Sequence, residues 1–147
     1  MEPHKRHPVG LFDAHAKRAF DAAQQDADRR GGKVLVSGLV LNAAANAGDS
    51  LSARLLEAMG TDLKTFNSAV DAEWSARSRW LQDQPFTLVN EAFQKVAANS
   101  EPGTDLRLET LLAVMLGYPD SMASRVVRRI GIEPEILAER IAVDESQ

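Results

Sequence analysis

The sequence predicts an all-α fold of two tandem four-helix repeats in a pseudo-two-fold arrangement, and three observations predict it. Apolar residues recur three and four positions apart along most of the chain, the mark of helices with one buried face. Two short segments, Leu39 to Ala45 and Leu111 to Leu116, are almost wholly apolar, so each belongs at the centre of a helical unit. Two glycines that follow amphipathic stretches, Gly60 and Gly131, stand 71 residues apart with similar turn sequences before each stretch.

In chain order, the polar, proline-punctuated Met1 to Pro8 reads as part of a flexible tail over 1–10, with no apolar segment after it to make a secretory signal. The first repeat spans 11–73. Leu11-Phe12-Asp13 opens a helix whose apolar face is Phe12, Ala16, Ala19, Phe20 and Ala23, with Asp13 placed as N-cap. A polar loop through Arg30-Gly31-Gly32 leads to the apolar central helix, Leu39 to Ala45. Gly48-Asp49-Ser50 is a turn and cap that starts a third helix, Leu51 to Met59, and Gly60 ends it in the left-handed conformation. Leu63, Phe66 and Val70 form the inner face of a fourth.

A linker over 74–84 holds both tryptophans, Trp74 and Trp80. They offer either an aromatic contact surface or, preferred because large aromatics bury most of their area, an extension of the fourth helix packed on the core. The second repeat spans 85–142. Pro85-Phe86-Thr87 opens it with Phe86, Val89, Phe93, Val96 and Ala97 on one face, and Phe86 lies 74 residues after Phe12. A loop through Glu101-Pro102-Gly103, the helix Leu111 to Leu116, the turn Pro119-Asp120-Ser121, a helix from Met122 to Ile130 and a last helix with Pro134, Leu137 and Ile141 inside repeat the first half. The fall in offset from 74 to 71 places a three-residue deletion in the first loop. A tail over 143–147 follows.

Composition narrows the function. The 147 residues are 44% hydrophobic but 5% aromatic, so the core is aliphatic. A net charge of −4 argues against life on a phosphate backbone, and the absence of cysteine excludes disulfides, thiolate metal sites and cysteine nucleophiles. A reducing, cytoplasmic setting is expected. Gly31-Gly32-Lys33-Val34 lacks the earlier glycine and the hydroxyl of a nucleotide-binding loop, so it reads as a surface turn. His4 and His7 flank the cations Lys5-Arg6, which disfavours a metal ion. No nucleophile elbow or zinc-protease helix is present. The expectation is a non-enzymatic chain with no metal and no cofactor.

Two four-helix halves with these openings, turns and glycine ends resemble the double Clp N-terminal domain that heads Clp-type AAA+ unfoldases. The likeness runs from about Leu11 to Ala142 and is strongest at Ser50 to Gly60 and at Pro85-Phe86-Thr87. It implies a mobile all-α module that engages substrates and adaptors. In that family the buried helix of each repeat opens Gly-Thr-Glu-His-(Leu/Ile)-Leu; here the first reads Val36-Ser37-Gly38-Leu39-Val40-Leu41, with Ser37 expected to keep the capping role. The second reads Arg107-Leu108-Glu109-Thr110-Leu111-Leu112.

The resemblance therefore implies a phosphoarginine-type site at Glu109; the plainer alternative is a glutamate favoured by a helix N-terminus. It also implies an apolar ligand groove for cyclic peptides near Val9, Phe12 and Phe86, with Glu91 standing where relatives carry a basic residue, whereas the plainer role of Phe12 and Phe86 is to anchor the core.

The expected function is thus a protein-binding module for substrate or adaptor polypeptides of a Clp-type chaperone and proteolysis system, acting as adaptor or decoy. Two settings are open, the excised N-terminal domain of a larger ATPase and a free-standing protein, and the start at Met1 with the degenerate motifs favours the second as the expectation. The alternative is a protein that sequesters cyclic-peptide antibiotics. Neither nucleic acid nor membrane is an expected partner.

Overall fold

A computed structural model of the protein describes residues 14–31, 36–76, 92, 94–96, 98, 107–119 and 121–146. The regular elements among them are all α-helices: α1 (Ala14–Arg29), α2 (Ser37–Asn46), α3 (Ser50–Met59), α4 (Leu63–Ser75), α5 (Leu108–Leu116), α6 (Met122–Ile130) and α7 (Pro134–Ser146). Residues 92, 94–96 and 98 are helical too. The expected all-α class is observed. The expected caps Asp13 and Thr87, and Trp80, lie outside the described residues.

Local chemistry sets the helix ends. Asp49 caps α3 through a reciprocal box: its carboxylate accepts from the Ser52 N–H at 3.0 Å, and the Ser52 hydroxyl accepts from the Asp49 N–H at 3.4 Å. Ser121 caps α6 by accepting from the Ser124 N–H at 3.1 Å, and Asp62 caps α4 through the Thr65 N–H at 2.8 Å. Gly60 and Gly131 end α3 and α6 with φ of +68° and +105°, where a side chain would be strained. The amides that follow reach back alike, Thr61 N–H to Leu56 O and Ile132 N–H to Val127 O.

Helix α2 is the hub. Seven of its ten residues are buried, and it touches α1, α3, α4, α5 and α6. The alanine face of α1 (Ala16, Ala19, Ala23, Ala27, with Phe20) lies on it. Its partner α5 buries Leu108, Leu111, Leu112, Met115 and Leu116, mainly against α7. The outer helices cross over: α4 packs on α6, and α3 packs on α7. One continuous aliphatic core results, with Phe66, Leu39, Leu41, Leu55, Leu111, Leu137 and Met122 fully enclosed.

Two details depart from the sequence reading. Ser37 does not cap its own helix. Val36 occupies the N-cap without a side-chain bond, and the Ser37 hydroxyl accepts instead from the Ala123 N–H of α6 at 3.1 Å. Each helix start leaves orphan amides, and here the nearest acceptor comes from another helix. Leu63, the first residue of α4, is 37% exposed whereas its counterpart Pro134 is buried. Trp74 lies in α4, the extension of the fourth helix that the sequence reading prefers; it is half-buried against the core, with the Arg30 guanidinium 5.6 Å from its ring centre.

Gly38 explains the closeness of α2 and α6. A Cβ built there would stand 2.3 Å from Met122 Cγ and 2.4 Å from Met122 Sδ, and both residues are buried. The Gly38→Ala variant is expected to lose ~1–3 kcal/mol in urea unfolding, the usual cost of overpacking. In a Met122→Ala background the same change is expected to cost less, since the colliding atoms are gone; equal costs in the two backgrounds refute the contact as the cause.

Candidate functional site

Of the five ligand- or partner-binding residues that the resemblance implies, Glu109 falls in the described region; Val9, Phe12, Phe86 and Glu91 lie outside the described residues, so the structure does not locate the inter-repeat groove. Glu109 sits in the first turn of α5 and is 6% exposed. Its Oε2 accepts from Arg54 Nη2 of α3 at 3.0 Å and from Arg107 Nη2, just before α5, at 2.9 Å. Burial alone pushes its carboxyl up; its own backbone amide and the guanidiniums of Arg54 and Arg107 outweigh that and hold it below the usual carboxylate range. This carboxylate joins α5 to α3, and a ligand guanidinium at the same oxygen must compete with two residents.

Two further buried carboxylates escaped the sequence reading. Glu73 of α4, 3% exposed, accepts from Arg129 Nε of α6 at 2.6 Å across 56 residues of chain. Asp26 of α1, 6% exposed, accepts from Arg29 Nη2 at 2.7 Å, Arg30 Nε at 2.9 Å and Asn42 Nδ2 of α2 at 3.2 Å. The arginines lie three and four residues after Asp26, on the same helix side, so that part was readable from spacing. Asn42 was not. Burial raises the Asp26 carboxyl, but the bonds and charges of Arg29 and Arg30 prevail and lower it.

Asp26 lines an open cleft of ≈ 740 Å³ between α1, α2 and α4. Arg30 spans it, donating also to Asp71 of α4 at 3.0 Å. Beside it three carboxamides form a chain: Asn46 Nδ2 donates to Asn42 Oδ1 at 2.8 Å and to Asn67 Oδ1 of α4 at 3.0 Å. At the other end His15 Nδ1 lies 3.3 Å from Oδ2 of the capping Asp49. Burial raises the Asp49 carboxyl, but the Ser52 amide and hydroxyl and His15 together outweigh it and lower it overall. Leu108, next to Glu109, also lines the cleft, so the α5 start borders it.

These groups are donors and acceptors held in place by their neighbours. Among the described residues no cluster of three or more His, Cys, Asp or Glu could hold a metal, and no helix is long and apolar enough to cross a membrane.

Acid should loosen these seams. Because Asp26 and Glu109 sit below their ordinary values when folded, their stabilisation is present above the unfolded carboxylate range near about pH 4 and is lost as pH falls through the folded values. The Asp26→Asn variant is expected to be ~1–3 kcal/mol less stable than the parent at pH 7. Urea midpoints measured from pH 7 to pH 2 should bring the two curves together below about pH 4; a constant gap refutes the linkage.

No protein-family model and no curated protein matches this chain.

Proposed function

We propose that the chain is a non-catalytic polypeptide-binding module, two tandem repeats in a pseudo-two-fold arrangement like the double Clp N-terminal domain, that engages substrate or adaptor proteins of a Clp-type unfoldase–protease system. The observation that carries this reading is the matched interlock of the helices. Exchanging α2 with α5, α3 with α6 and α4 with α7 turns the α2–α3 contact into α5–α6, α2–α4 into α5–α7, and α4–α6 into α7–α3, all of which occur. Helix starts at Ser37 and Leu108, end glycines at 60 and 131, and starts at Leu63 and Pro134 share the offset of 71. The caps Asp49 and Ser121 are 72 apart, because α5 and α6 are each one residue shorter than α2 and α3 while the turn between them is two residues longer.

A further likeness supports the duplication. The Ser52 hydroxyl donates to Ala44 O at 2.6 Å and the Ser124 hydroxyl to Leu116 O at 3.2 Å, each closing an eight-residue span at the start of the third helix of its half. A rigid helical block with charged, concave outer faces and fixed carboxylates is suited to docking polypeptides.

The test is functional. Added to a reconstituted Clp-type unfoldase–protease degrading an unfolded substrate, the purified chain is expected to change the rate, upward as an adaptor or downward as a decoy. It is also expected to bind fluorescein-labelled, reduced and carbamidomethylated lactalbumin, a chain held unfolded, in an anisotropy titration. An unchanged rate together with no binding overturns the proposal.

A further inference from the structure

We infer that the cleft between α1, α2 and α4 is a binding site for an extended polypeptide segment, held by its main chain through the carboxamides of Asn42 and Asn67. This rests on the polypeptide-binding reading and names the site it would use.

The chemistry of the cleft selects the ligand class. A carboxamide presents two N–H donors beside a carbonyl acceptor, the same groups that a peptide unit presents, so one Asn side chain can pair with both sides of a peptide group. Asn42 spends one N–H on Asp26, and Asn67 spends one on Asn46 Oδ1 at 3.4 Å. Among the described residues the second N–H of each meets no acceptor. Both residues are half-buried and anchored by the Asn46 chain, so little side-chain freedom is lost when they bind.

Other ligand classes fit less well. Four aspartates line the cleft against three arginines, and Asp26 has already engaged two of those arginines, so a phosphate or polyanion meets no surplus of positive charge. No Phe, Tyr or Trp lines it among the described residues, which leaves a sugar face or a nucleobase without a ring to stack on. Alanines at 22, 43 and 47 keep the walls low enough for a backbone to approach. The volume of ≈ 740 Å³ lies within the ~300–1,000 Å³ range of small-ligand clefts, room for a short stretch of main chain.

The experiment uses the full chain and the same labelled, unfolded lactalbumin. Asn67→Ala is expected to weaken binding about five- to tenfold, the weight of one or two hydrogen bonds. Ala22→Tyr, at an exposed position of α1 that lines the cleft, is expected to remove binding by filling it. Both variants should melt within a few degrees of the parent, since neither side chain supports the core. In ¹⁵N spectra the side-chain amide signals of Asn42 and Asn67 should shift during the titration.

If the parent binds but both variants bind equally and the two signals stay still, the cleft assignment falls while the polypeptide-binding function stands. If the parent does not bind, the cleft assignment falls, and the polypeptide-binding function falls with it when the degradation rate is also unchanged. Shifts of the two signals with maltohexaose but not with lactalbumin assign the cleft to carbohydrate and overturn the inference.

Discussion

Helix α2 must be covered on nearly every side, and the arrangement of the other helices follows from that. It carries no charged residue, and an apolar helix of this kind is stable in water only when surrounded. Alanines on α1 let that helix lie close, and Gly38 lets Met122 of α6 come closer than any side chain would permit. The close approach brings the first amides of α6 to the start of α2, where Ser37 accepts from Ala123. A single apolar segment thereby joins residues 86 positions apart, and α4 and α3 are left to seal the sides against α6 and α7.

Charge then fixes what apolar packing leaves loose. Each of three buried carboxylates holds a seam: Asp26 between α1 and α2, Glu73 between α4 and α6, Glu109 between α5 and α3. Ion pairs of this kind add little net stability, because desolvation offsets much of the attraction. Their geometric demand is strict, however, since an unpaired buried carboxylate is costly, so they favour one register of helix against helix over its neighbours. Arg30 serves two seams at once, joining Asp26 to Asp71 and lying over Trp74. The same ties make the lining of the α1–α2–α4 cleft rigid.

Helix positions were legible because their signals are local. Gly60 and Gly131, Asp49 and Ser121 specify starts and stops within a few residues of chain, and the observed ends agree closely with them: α6 runs Met122–Ile130 as expected. Periodicity also identified most of the core, including Phe66, Val70, Leu137 and Ile141. It misjudged Leu63, whose spacing places it inward but which stands 37% exposed at the first position of α4. Ser37 looked like a cap because serine beside an apolar run usually is one, but which amide it serves depends on a helix far along the chain.

The candidate site divides in the same way. Asp26 with Arg29 and Arg30 could be read from one helix turn, and Glu109 stood out at a helix start. That Arg54 meets Glu109, that Arg129 meets Glu73, and that Asn42, Asn46 and Asn67 line up beside Asp26 could not be.

By itself the sequence determined the all-α class, the helix order and the faces that must be buried, because these depend on spacing, caps and turns between near neighbours. Only the tertiary structure decided which buried charges are matched and where a cleft opens, because those depend on distances between helices that no local pattern encodes.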